Sequence, residues 1–88
     1  MRRRPLDVAD LLVTASASTG TPVEDLIPST DLELLCLVAE RTRARTSPVD
    51  AVAEMLTGVA AGRPFATHNA AAAWALAALV ADGRRCRL

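Results

Sequence analysis

Between Gly62 and the alanine run that begins at Ala70, four side chains with chemical capability lie close together: Arg63, Thr67, His68 and Asn69. A guanidinium binds anions through a fixed fork of donors, a hydroxyl and a carboxamide both donate and accept hydrogen bonds, and an imidazole exchanges protons near neutral pH. Gly62 and Pro64 punctuate the segment, which reads as the end of one helix, a short loop and the start of another near Asn69. The opening turn of a helix presents unpaired N–H groups and the positive end of the macrodipole, so it favours a phosphate or carboxylate. The chemistry this spacing predicts is anion binding, with Arg63, Thr67 and Asn69 as contacts.

The same residues carry a family resemblance. An apolar helix, Pro64, Phe65, a short interval, Asn69 and an alanine-rich helix together resemble the signature loop of the Fic/Doc family, written HPFx(D/E)GN(K/G)R. Pro64, Phe65 and Asn69 match that pattern. Arg63 stands in place of its histidine, Thr67 in place of the acid, His68 in place of the glycine, and Ala70 and Ala71 in place of the basic pair. The resemblance covers residues 30–88 and is specific only between Met55 and Gly83; residues 1–29 form an N-terminal helix and loop outside it. It implies a Fic/Doc-like core and a toxin-type protein of a toxin–antitoxin pair, held by a protein partner such as an antitoxin. It also implies ATP with magnesium at the loop, if the loop functions, and transfer of a nucleotidyl or phosphoryl group to a target side chain.

The departures bear on that chemistry. The family's loop histidine acts as the general base, and Arg63 is permanently protonated. Magnesium favours carboxylates with phosphate oxygens, and Thr67 brings none. Alanines replace the phosphate clamp. The expectation is therefore a protein without the family's transferase activity, with no resident cofactor or metal and with an anion site made of Arg63, Thr67, Asn69 and helix amides. His68, the single histidine, is a candidate displaced base; a solvent-facing histidine near a helix start is the plainer reading, and Pro64 with Phe65 reads equally as a turn proline beside a core anchor. The alternative function is a small helical protein–protein interaction module with no nucleotide role.

Positioning these residues requires helices. Pro5, then Leu6, Val8, Ala9, Leu11, Leu12 and Val13, predict a short first helix with Asp7 and Asp10 early in it. Ser16 to Pro22 predicts a loop, and Val23 to Ile27 about one turn of helix ended by Pro28. Thr30 and Glu33 fit a capping box for a central helix running to about Arg43. Ser47 and Pro48 open the next helix, with a stripe of Val49, Val52, Ala53, Leu56, Val59 and Ala60. Gly58, off that stripe, predicts close approach of another helix, and Gly62 predicts the stop. The last helix, Asn69 to Asp82, places Ala73, Leu76, Ala77 and Val80 on one face with Trp74 beside them. The fold class is all-α, one domain spanning 1–88, of about four helices.

Composition bounds the rest. Hydrophobic residues make up 51% and charged residues 23%, which suits a globular core. Ten basic residues, all arginine, balance ten acidic ones, an argument against a protein that coats nucleic acid or an anionic membrane. Arg2 to Arg4, the Arg41, Arg43 and Arg45 group, and the Arg84, Arg85 and Arg87 group read as solvated termini and a helix end. A helix-turn-helix reading fails on readout: the final helix offers His68 and Asn69 and then alanine. Asp7 and Asp10 interrupt any signal-peptide core, and the apolar run at Ala70 to Ala81 is shorter than the roughly 18 residues of a membrane span. A cytoplasmic chain with Cys36 and Cys86 reduced is expected. Family members continue with further helices past the position of Leu88, so the resemblance implies uncovered apolar surface on the last two helices, and with it a homo-oligomer or a bound protein.

Overall fold

The structure is a computed structural model and describes residues 7–83. It is all-helical among the described residues: α1 (Val8–Thr19), α2 (Val23–Ser29), α3 (Leu32–Ala44), α4 (Pro48–Gly62) and α5 (Asn69–Gly83). The extra element over the expected four is α2. Pro5 and Leu6, read as the start of the first helix, lie outside the described residues.

Helix starts and stops follow local chemistry, with several shifts from expectation. α1 opens at Asp7, whose carboxylate accepts the Asp10 N–H at 3.0 Å while the Asp10 carboxylate accepts the Asp7 N–H at 3.2 Å. This reciprocal pair satisfies two first-turn donors and places negative charge at the positive end of the dipole. α1 then continues through Ser16, Ser18 and Thr19, where a loop was expected. The Ser18 and Thr19 hydroxyls donate to the Ala15 carbonyl (3.1 and 2.8 Å), and Ser16 Oγ donates to the Thr21 carbonyl (2.7 Å). Hydroxyls that bond carbonyls at the helix end no longer compete against the helix. Gly20, at φ 76°, closes it in the left-handed region that glycine adopts without penalty.

α2 forms a seven-residue helix that carries Pro28 within it rather than ending before it; a proline near the end removes little helical bonding. The expected Thr30 capping box is displaced by one residue. Asp31 caps α3, its carboxylate accepting the Leu34 N–H at 3.1 Å, while the Thr30 hydroxyl donates back to the Leu26 carbonyl at 2.7 Å. An aspartate caps as well as a threonine, and this register turns Leu35, Val38, Ala39 and Thr42 inward.

The core is aliphatic: Leu11, Leu35, Met55, Val59, Leu76 and Val80 are fully buried or nearly so. α4 is the middle of the structure, packing against α5 most extensively and against α3 on another side, while α1 covers α5. α3 is thus a flanking helix, not the central one its apolar run suggested, and Leu32 and Leu37 are exposed. The inward face of α4 is Ala51, Val52, Met55 and Val59, so Val49, Ala53 and Ala60 of the expected stripe face outward. With apolar residues on two adjoining faces, periodicity alone does not choose between them.

Gly58 is where α3 and α4 meet. A Cβ built on it would lie 2.8 and 2.9 Å from the two γ-methyls of Val38, closer than carbon atoms pack. Gly58→Ala gains about 1 kcal/mol of helix propensity but forces overpacking worth about 1–3 kcal/mol. The expected net result is destabilisation by about 1 kcal/mol, largely absent when Val38→Ala removes the clash, so a urea-unfolding double-mutant cycle should show positive coupling. Additive effects would remove close approach as the reason for the glycine.

Candidate functional site: the loop between α4 and α5

α4 runs through Gly62, and the left-handed residue that ends it is Arg63, at φ 53° and ψ 57°, with its N–H bonded to the Val59 carbonyl at 3.0 Å. Gly62, the expected stop, is still helical, and a Cβ there would sit 3.3 Å from Leu34 Cδ2, a tight contact at the flexible end of that leucine. A non-glycine residue in the left-handed region costs about 1–2 kcal/mol, and one preceding a proline is further disfavoured there. His68, at φ 59°, is the second such residue. It lies just before α5 rather than within its first turn, with its carbonyl accepting the Ala72 N–H at 3.0 Å and its side chain exposed.

Between these two positions the loop folds inward. Pro64 and Phe65 are buried, Phe65 to 3% exposure. The Pro64 carbonyl accepts the Asp31 N–H at 2.7 Å, which ties the loop to the cap of α3. Asn69, 7% exposed, turns its carboxamide back on the loop: Oδ1 accepts the Phe65 N–H at 3.0 Å and Nδ2 donates to the Phe65 carbonyl at 2.9 Å. The pair forms a closed ring of two hydrogen bonds, so both backbone groups of the buried phenylalanine are satisfied by one side chain.

The four residues singled out from sequence therefore separate. Arg63, Thr67 and His68 lie on the outside of the loop, and Asn69 lies inside as its clamp. The arrangement can present an arginine and the first-turn amides of α5 to an anion. It does not fit a magnesium-bound nucleotide of the kind the resemblance implies, because Thr67 offers no carboxylate and the Asn69 carboxamide is buried and turned onto the Phe65 backbone. Among the described residues no group of three His, Cys, Asp or Glu side chains is placed to hold a metal ion.

Within the Arg41, Arg43 and Arg45 group, Arg45 reaches across to the neighbouring helix. Arg45 donates from Nε (3.1 Å) and Nη2 (2.7 Å) to the same Glu54 oxygen, joining the end of α3 to α4. The hydrogen bond and the charge of Glu54 push the Arg45 guanidinium further above its ordinary value, so the arginine keeps its charge.

Sequence reasoning missed two surface features. Trp74 is 64% exposed rather than beside the core face, because α5 is apolar all round and its period does not identify which residues turn outward. The second is the outer face of α3, where Leu32, Cys36 and Leu37 lie exposed among Asp31, Glu33 and Glu40. Cys36 is a free, exposed thiol; Cys86 lies outside the described residues. No described helix is long and apolar enough to cross a membrane. No family model matches the chain, and no curated protein or solved structure matches it.

Proposed function

We propose that this chain acts by binding another protein, without nucleotide chemistry, and that its Fic/Doc-like loop serves as a clamp between helices. The observation that carries this reading is the Asn69 carboxamide, buried and bonded in both directions to the Phe65 backbone. The one motif residue suited to phosphate recognition by its side chain is committed to holding the loop. Apolar side chains on the outside, Trp74 at 64% and Val49 at 67% exposure, support the interaction role, since binding surfaces concentrate such residues. A toxin-type component held by an antitoxin is the form of this function that the family resemblance favours, and it too requires a partner rather than catalysis.

A second reading, a residual anion or nucleotide site at the start of α5, is favoured by the left-handed Arg63 and His68 that bracket the loop, because unusual backbone geometry clusters at functional sites. Thermal unfolding with and without millimolar ATP and magnesium separates the two. A site with a Kd of about 0.1 mM at about 1 mM ligand would add about 1.4 kcal/mol, several degrees of Tm for a domain this small. The expected result is no shift. A rise that Arg63→Ala abolishes would overturn the interaction reading in favour of the anion site.

A further inference from the structure

α2 is held differently from the other four helices. Of its seven residues Leu26 alone is buried and Val23 is half-buried, while Glu24, Asp25, Ile27, Pro28 and Ser29 are exposed. Each of the others buries three residues or more. No side chain caps the start of α2, where Pro22 stands, and Pro28 within it brings no N–H. A helix this short is marginal in water without packing, and among the described helices α1 is the one it packs on extensively. The chain on either side of it is defined. Before it, Gly20 at φ 76° closes α1, and a Cβ there would meet nothing within 4 Å, so the chain turns in open space. After it, the Asp31 N–H is bonded to the Pro64 carbonyl at 2.7 Å and the Asp31 carboxylate caps α3.

We propose that α2 is a strap, which opens as a unit between Gly20 and Thr30 while α1, α3, α4 and α5 stay folded. In opening it withdraws Leu26 from the core and bares the apolar seat that this side chain covers. The bonds it gives up are local: the Asp25 and Leu26 N–H groups to the Pro22 carbonyl (3.0 and 2.9 Å), and the Ser29 and Thr30 hydroxyls to the Leu26 carbonyl (3.1 and 2.7 Å). Water replaces these partners once the strap is open. The apolar burial lost is that of Leu26 and part of Val23, against a core shared by the other four helices and Phe65. A segment with so little buried contact opens at a smaller free energy than the whole domain. The inference goes beyond the protein-binding reading and does not depend on it; it adds an apolar site whose access is set by the α2 equilibrium.

Native-state hydrogen exchange on the full chain tests this at three bonded amides. The Leu26 N–H reports the strap, the Asp31 N–H its far anchor, and the Leu35 N–H, bonded to the Asp31 carbonyl at 3.0 Å, reports α3 and the core. Relative to intrinsic rates, Leu26 should exchange at least about tenfold faster than Leu35. Its rate should also depend less on urea, because opening a strap exposes less surface than unfolding. Asp31 should stay protected alongside Leu35. In Leu26→Ala the amide of residue 26 should lose most of its protection. Leu35 should lose no more than the factor by which Leu26 was protected in the parent, since an open strap contributes nothing further to the fold. Equal protection and equal urea slopes at Leu26 and Leu35 overturn the proposal, as does exchange of Asp31 together with Leu26, or a larger loss at Leu35 in Leu26→Ala.

Discussion

Phe65→Ala should lower the free energy of unfolding by about 3–5 kcal/mol, the range for removing a buried aromatic ring without filling the space. Phe65 is the single phenylalanine of the chain and is 3% exposed. Around it the core is made of Leu, Val, Ala and one Met, side chains too short to reach across the space a ring leaves. Folding stability in small domains is about 5–15 kcal/mol, so this one substitution removes a large share. Urea unfolding followed by circular dichroism measures it, and Phe65→Leu, which retains most of the volume, should cost less than half as much. If both variants unfold like the parent, the loop is not anchored in the core and its geometry has no bearing on function.

Asn69→Ala should cost about 2–4 kcal/mol, since it strands both the N–H and the carbonyl of a buried residue at about 1–3 kcal/mol for each unsatisfied group. The loss has a local signature. In the parent the Phe65 amide should exchange slowly with solvent because its acceptor is the buried Asn69 Oδ1 at 3.0 Å. In Asn69→Ala it should exchange quickly under native conditions, while amides in the middle of α3 and α4 lose protection only by the global change in stability. Equal protection of the Phe65 amide in both proteins would show that the carboxamide is not the clamp, and would return Asn69 to the candidates for anion binding.

These two residues also show how far the chain could be read before folding. The order of Pro64, Phe65 and Asn69 drew attention to this loop, and the placing of a helix start at Asn69 was correct. Their use was not recognisable. Sequence spacing does not say whether a carboxamide faces a ligand or its own backbone, and the ring of bonds to Phe65 depends on the reversal that the left-handed Arg63 and His68 permit. Neither of those was identifiable as left-handed: glycine is the usual residue there, and one stood next door at Gly62.

The all-helical class and most helix positions were determined by the sequence alone, because capping residues, prolines and the high helix propensity of alanine act through neighbours a turn away. Gly58 was also legible as a point of close approach, since a glycine inside a helix has a local cost that something must offset. Only tertiary structure decided which faces turn inward. α3, α4 and α5 each carry apolar residues on more than one side, so the choice between Val49 and Met55, or between Trp74 and Ala73, belongs to the packing of three helices together. That choice exposes Trp74 on α5 and Leu32 and Leu37 on α3, turns Asn69 inward, and moves the functional question from the loop to the surface.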